Sequence, residues 1–262
     1  MARVIQITDT HLSPGKRHFS ENWGPLVAWV RAQAPELIIH TGDVTVDGAD
    51  VEEDMNYCAS VLLELGAPVL CIPGNHDVGQ ARDSFQPVNA ERIARWRRHF
   101  GPDYWTHDFG NWRFLGLNSL VLGSGEPEEG EQFSWLERTL AESEGRRLAW
   151  FMHQPLFLEN PGEGDTGYWG VKPEPRARLL DLAARHGVAL VASGHLHKSH
   201  DCHVGASRFI WAPSSGFVSV PSCSPTCRER RRWGPSLTSS GPTISGLHWS
   251  RSRAFAPSSS TM

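Results

Sequence analysis

The sequence predicts an α/β fold built in layers, on three observations. Seven short apolar runs, mostly β-branched or aromatic, recur at residues 4–7, 37–39, 69–72, 114–117, 148–152, 188–192 and 209–212, with the length and composition of buried strands. Segments of helical character lie between several of them, at residues 25–33, 51–65, 89–99, 132–142 and 174–186. Polar clusters of Asp, His, Asn and Gly follow five of the strands almost immediately.

Taken in order, the strand at 4–7 runs straight into Asp9, and the helix at 25–33 separates it from the strand at 37–39. Asp50 followed by Glu53 resembles a capping box opening the helix at 51–65. After the strand at 69–72 and the helix at 89–99, the runs at 114–117 and 148–152 flank a helix at 132–142. The helix at 174–186 is followed by Gly187, where a helix-ending residue belongs, and the strands at 188–192 and 209–212 complete the pattern. Strands alternating with helices imply largely parallel sheets covered by helices, with ligands bound beyond the carboxyl ends of the strands.

A chain of 262 residues is long enough for one large domain with a buried core, here assigned to residues 1–218. Residues 1–8 read as a core strand and leave no room for a signal sequence, and no apolar run approaches the roughly 18 residues of a membrane helix. The expectation is a cytoplasmic protein with no membrane partner. Cysteine usage agrees with reduced thiols, since Cys58, Cys71 and Cys202 lack zinc-site spacing and the Cys223/Cys227 pair has no ligand partner nearby. Residues 219–262 carry six arginines and one acid, so the net charge of −4 conceals a more acidic body, which argues against nucleic acid as a partner. That segment is rich in Ser, Pro and Arg without periodicity. It reads as an irregular tail without strands, a pattern that also fits a disordered or frame-shifted end, and its RERRRW stretch as a candidate phosphate-binding patch.

The polar clusters carry the chemistry. Asp9-Thr10-His11, Gly42-Asp43, Gly74-Asn75-His76-Asp77, His153 and Gly194-His195-Leu196-His197 bring metal-type ligands from five strand ends to one edge of the sheet. Asp9 and His11, two apart, would project to one side of an extended segment, as would His195 and His197. The glycines suit sharp exits from strands and close approach of backbone. Mixed carboxylate, imidazole and amide donors suit Mn²⁺, Zn²⁺ or Fe over Ca²⁺. With two carboxylates facing two divalent ions, the occupied site stays positive and favours an anionic substrate. Two ions about 4 Å apart can bind a phosphoryl group, lower the pKa of bound water towards ~7, and stabilise attacking and leaving oxygens, so phosphoester hydrolysis is the expected reaction.

Together, ITDTHL, TGDV, PGNHD, HQP and SGHLH resemble the five-block signature of the calcineurin-like metallophosphoesterases, in order and spacing, over residues 4–200. The resemblance implies a layered α/β/β/α sandwich with mixed sheets and a metal site at the carboxyl ends of the strands. It also implies two divalent metal ions. One would be held by Asp9, His11 and His197, the other by Asn75, His153 and His195, with Asp43 bridging. His76 would stabilise the transition state or protonate the leaving group, and Asp77 would orient the His76 ring. Within the family, the start of the chain, TGDVTVDG and the GNHD and SGHLH blocks are most similar to class III cyclic-nucleotide phosphodiesterases. The implied reaction is in-line attack of metal-bound hydroxide on a small phosphodiester, with a nucleotide among the candidates. The region from HQPLF to RARLLDL also resembles a branch containing protein phosphatases, which keeps monoester hydrolysis open. A silent binding module usually loses ligands, and a nuclease would need a basic groove.

The remaining residues have plainer readings. His18, His40, His99, His107, His186 and His248 read as surface or core histidines; His200 and His203 follow SGHLH closely and are candidates to extend the site. Trp96, Trp105, Trp112 and Trp135 read as packing. For the Gly-rich loop at 157–172, with Glu159, Glu163, Asp165, Tyr168 and Trp169, two readings stand: a lid offering aromatic contacts to substrate, or an ordinary surface loop.

Overall fold

Alternation along the first two strands sets the layers. A computed structural model of the chain describes residues 2–80, 85–216, 243–244 and 247–251. In β1 (Ala2–Ile7) and β2 (Leu37–His40), Val4, Leu37 and Ile39 enter one buried cluster while Ile5, Ile7 and Ile38 enter another, as the period of two requires. Both faces of this sheet are therefore covered. Its strand order places β10 (Thr243–Ile244), β11 (Leu247–Arg251), β1, β2 and β3 (Val69–Cys71) side by side. All pairs are parallel except β10 with β11.

The second sheet runs β4 (Trp105–Phe109), β5 (Trp112–Leu117), β6 (Arg147–Met152), β7 (Val188–Ser193), β9 (Ser207–Trp211), β8 (His200–Val204). Its four inner strands are parallel and both edge strands antiparallel. On one side of the molecule, α1 (Trp23–Gln33), α2 (Glu52–Val61) and α4 (Ala90–Phe100) bury Leu26, Val30, Met55, Ile93 and Trp96 against the first sheet. On the other, α5 (Pro127–Ala141) and α6 (Pro173–His186) bury Phe133, Leu136, Leu179 and Leu182 with the second sheet. Between the sheets, the Gln6 amide donates to Thr41 Oγ1 at 3.0 Å and to the Ser193 carbonyl at 3.2 Å. The order is helices, sheet, sheet, helices: the expected α/β/β/α sandwich with mixed sheets.

All seven expected strands and all five expected helices are present, with differences that have local causes. The two missed edge strands, β4 and β8, read WTHDF and HDCHV and alternate half-buried with exposed residues, so no apolar run announces them. Pro127 and Pro173 occupy the first turns of α5 and α6, where their fixed φ suits a helix start, and α5 begins five residues earlier than expected. Gly187 ends α6 in the left-handed conformation at φ 65°.

The capping box is a correction. α2 has Val51 at its cap position without a side-chain cap, and Asp50 instead accepts from Arg92 Nη2 and Gln86 Nε2, both at 2.6 Å, because a guanidinium offers a charge-assisted bond. The strandless reading of residues 219–262 is a second correction, for β11 lies parallel to β1 and makes it an inner strand. Leu247 and Trp249 alternate with His248 and Ser250, a five-residue period-two signal that the serine-rich surroundings mask. The rest of that segment, including Cys223, Cys227 and RERRRW, lies outside the described residues. Among the described residues no helix is long and apolar enough to cross a membrane, and Cys58, Cys71 and Cys202 are free thiols.

Candidate active site

Five strand ends deliver side chains to one place. Asp9 and His11 follow β1, Asp43 follows β2, α3 (Asn75–Val78) starts beyond β3, His153 follows β6, and His195 and His197 follow β7. Backbone strain concentrates there: Asp9, His11, Asp43, His195 and His197 have φ of 53°, 45°, 53°, 66° and 53°. Left-handed backbone costs a residue other than glycine about 1–3 kcal/mol. This corrects the extended-segment reading of the two-apart pairs, since tight left-handed turns aim these ligands. The turns are laced together, with Asp9 N–H donating to the Gly42 carbonyl at 2.9 Å and His11 N–H to the Asp43 carbonyl at 3.1 Å. Ser214 Oγ and Gly216 N–H donate to the Asp9 carbonyl from behind, at 2.7 and 3.2 Å.

Each carboxylate has one oxygen fixed by donors and one turned to imidazoles. Asp9 Oδ2 accepts from Thr8 Oγ1 at 2.6 Å and from His195 N–H at 3.1 Å, while Oδ1 lies 3.1 Å from His197 Nε2 and 4.0 Å from His11 Nε2. Asp43 Oδ1 accepts from His76 N–H at 2.9 Å, while Oδ2 lies 3.7 Å from His11 Nε2 and 3.3 Å from His153 Nε2. Burial opposes ionisation of both acids. Even so, the hydrogen bond from His197 and the charge of His153 hold Asp9 at about 2, and the surrounding histidines hold Asp43 well below the usual carboxylate range.

The histidine tautomers follow from their outer partners. His153 Nδ1–H donates to the Thr41 carbonyl at 2.8 Å, and His195 Nε2–H to the Tyr168 carbonyl at 3.0 Å. Asn75 Nδ2 donates to the Tyr168 hydroxyl at 3.2 Å, leaving its Oδ1 towards the site. His195 Nδ1, Asn75 Oδ1 and Asp43 Oδ2 consequently lie 3.1, 3.2 and 3.3 Å from His153 Nε2. Four acceptors converge with no intervening donor, an arrangement that repels itself unless a cation or a proton sits among them. Without an ion the proton goes to His153: burial works against its charge, but Asp43 raises its pKa to about 9. Burial and the neighbouring charge of His153 lower His195 to about 3.

The donor set fits two divalent cations. Asp9, His11, Asp43 and His197 form one group that could hold a metal ion, and Asp43, His153 and His195 another, with ligand atoms in each within 4.8 Å of one another. Asp43 is common to both, and Asn75 joins the second. Burial keeps His11 neutral, its pKa lowered to about 4, and a neutral imidazole can offer a lone pair to a metal.

The glycines act by leaving space. A side chain at Gly74 would run into the Asp43 carboxylate and amide, and one at Gly42, φ 93°, would lie 2.6 Å from His153 Nδ1. Gly74→Ala is expected to cost about 1–3 kcal/mol by overpacking, read as a fall of several degrees in Tm together with weaker metal retention on dialysis.

His76 sits beside the ligands, its ring centroid 4.6 Å from that of His11 and edge-on to it. Its Nδ1–H donates to the Val46 carbonyl at 2.6 Å. Burial disfavours its charge, but Asp43 and the Val46 carbonyl raise its pKa overall. Asp77 does not orient the ring by a hydrogen bond. Its carboxylate accepts from Gly74 N–H at 2.9 Å, Val44 N–H at 3.2 Å, and Thr45 N–H and Oγ1 at 2.9 and 2.7 Å, tying the Asn75 turn to the Asp43 turn. A buried carboxylate seeks backbone amides, and they lie closer than the ring.

Some residues not expected as ligands or catalytic groups belong to the site. Tyr168 comes from the loop at 157–172, and its ring lies 4.7 Å from that of His195, so this residue of the loop borders the site. Its only signal in sequence was its place just after His153. Thr8, Val46 and Ser214 act through backbone or carboxylate oxygens and carry no ligand chemistry to flag them. His200 stacks on Trp211 at 4.1 Å on the edge strand β8, and His203 shares that strand; neither joins the metal-binding groups. His40 is fully buried and bonded to Thr10 Oγ1 at 3.0 Å, a core histidine as expected.

Comparison with known proteins agrees with this geometry. The calcineurin-like phosphoesterase family model matches residues 2–199. The 3′,5′-cyclic adenosine monophosphate phosphodiesterase CpdA of Escherichia coli is 29% identical over 242 residues, 85% of this chain and 79% of that enzyme. Human serine/threonine-protein phosphatase CPPED1 is 32% identical over 138 residues, 50% of this chain and 42% of the phosphatase. In three dimensions, a dimetal phosphatase from Danio rerio covers 80% of this chain and 87% of its own length with a TM-score of 0.54 at 15% identity, a likeness of fold. The match across residues 2–199 takes in every block of acceptors described above, and the chain belongs to the calcineurin-like phosphoesterase family.

Proposed function

We propose that this metal-dependent phosphoesterase hydrolyses small phosphodiesters of the cyclic-nucleotide kind. The observation that carries the reading is extent. Similarity to the cyclic AMP phosphodiesterase spans 85% of this chain, whereas similarity to the protein phosphatase spans 50%. A probable cyclic nucleotide phosphodiesterase of Synechococcus, 27% identical over 81% of this chain, supports the same choice. Monoester hydrolysis is the second reading, favoured by the higher identity of the phosphatase over its shorter span.

Asp9, His11 and His197 would hold one divalent ion and Asn75, His153 and His195 the other, with Asp43 common to both groups. The mixed oxygen and nitrogen donors favour Mn, Fe or Zn. When bound, the ions supply Lewis acidity at the phosphoryl oxygens and a water-derived nucleophile at neutral pH. The protein does the rest. Thr8 and the His195 amide fix Asp9, the Thr41 and Tyr168 carbonyls fix the two imidazole tautomers, and the His76 amide fixes Asp43. His76, with Nδ1–H held by Val46, presents its other nitrogen to the departing ester oxygen and protonates it. Free thiols at Cys58, Cys71 and Cys202 fit a cytoplasmic setting.

The test is the initial rate of Mn²⁺-reconstituted protein on matched diesters and monoesters, cyclic AMP included, with chelator as blank. A chelator-sensitive preference for diesters is expected; a preference for monoesters would transfer the assignment to the phosphatases.

A further inference from the structure

The wall that Tyr168 contributes to the site continues into solvent. Trp169 is 52% exposed and Tyr168 40%, and their rings meet edge to face at 4.9 Å and 84°. Trp169 also lies 6.2 Å, ring to ring, from His195. Val51, Leu63 and Phe85 are the other large exposed apolar side chains among the described residues, and none is in ring contact with a ligand histidine. Exposure of one aromatic residue is ordinary. An adjacent edge-to-face pair reaching outward from His195 calls for a partner.

The loop bearing this pair is held in place. Arg176, a buried residue of α6, donates through its guanidinium to the carbonyls of Glu163 and Gly164 and pairs with the Glu163 carboxylate at 3.6 Å. Glu163 in turn accepts from the amides of Leu158, Glu159 and Asn160 at 2.7, 2.9 and 3.3 Å. Beyond the pair, Val171 N–H donates to the Pro155 carbonyl at 3.0 Å and Lys172 Nζ to the Gly123 carbonyl at 3.1 Å. Gln154 Nε2 donates to the Tyr168 carbonyl at 3.0 Å. The aromatic pair is thus presented by a fixed frame, and a ligand meeting it loses little to ordering.

We infer that Trp169, supported by Tyr168, is a specificity-determining platform that stacks on a planar aromatic ester group, in a nucleotide its base, while the phosphoryl group occupies the neighbouring acceptor site. The reasons are position and chemistry. Tyr168 and Trp169 border the acceptor site through His195, at 4.7 and 6.2 Å ring to ring, and the surface that Trp169 offers there is a half-exposed indole. Stacking on an aromatic ring tolerates any base, so the platform selects nucleotides as a class. The inference takes its substrate from the phosphodiesterase reading above.

The experiment compares wild type, Trp169→Ala and Trp169→Phe, all full-length and Mn²⁺-reconstituted, on pairs differing only in the base. The diester pair is cyclic AMP and methyl riboside 3′,5′-cyclic phosphate; the monoester pair is AMP and ribose 5-phosphate. Trp169→Ala is expected to lower kcat/KM on the base-bearing member about tenfold, mainly through KM, and to leave the base-free member within about twofold. Trp169→Phe should keep most of the selectivity. Equal losses on both members, or no loss on the base-bearing one, would overturn the platform. If wild type turns over only the monoesters, the phosphodiesterase reading fails and the platform is judged on the monoester pair. If it turns over neither, calorimetric affinities for AMP and ribose 5-phosphate decide by the same ratio.

Discussion

Asp43→Asn is expected to reduce bound metal from two ions per chain to at most one and to lower turnover by about 10³-fold or more, several kcal/mol of lost transition-state stabilisation. Both groups of acceptors contain Asp43, and its Oδ2 lies between His11 and His153 at 3.7 and 3.3 Å. An amide in its place removes the one charge common to both groups. The fold should survive, because an asparagine oxygen can still accept from the His76 amide that now binds Oδ1 at 2.9 Å. Metal content by plasma mass spectrometry and the rate on cyclic AMP check this together. Retention of two ions with turnover within about tenfold of wild type would remove Asp43 from the bridging role.

His76→Asn should behave in the opposite way. Its ring stands beside the metal-binding groups and belongs to neither, so metal content should match wild type while turnover falls about 10²–10⁴-fold, the usual contribution of a general acid. The diagnostic is the leaving group. A p-nitrophenolate departs without a proton and should lose about tenfold or less, whereas the alkoxide of a ribose ester should show the full loss. Equal losses on both would make His76 an electrostatic stabiliser of the phosphoryl group, and loss of metal would make its ring a support for the metal-binding groups.

The sequence carried a large part of this protein in readable form. Buried parallel strands announce themselves as apolar runs, and metal chemistry needs Asp, His and Asn, which stand out just after such runs. The seven inner and early strands, the five helices and the acceptors Asp9, His11, Asp43, Asn75, His153, His195 and His197 were therefore legible, as was membership of a family defined by those blocks. The two edge strands of the second sheet were not. β4 and β8 show one face to solvent and read as polar, and β11 draws its identity from β1, a partner more than 200 residues away. The aim of the ligands was also hidden, because left-handed backbone turns Asp9, His11, His195 and His197 where alternation in an extended segment was expected, and turns Asp43 as well. Only the tertiary structure assigned Asp77 to backbone amides, gave the His76 ring to Val46, and carried Tyr168 from a loop with two readings to the side of His195. These contacts use main-chain oxygens and nitrogens that every residue has, so no residue type marks them in advance. They exist only once distant strand ends are brought within hydrogen-bond reach.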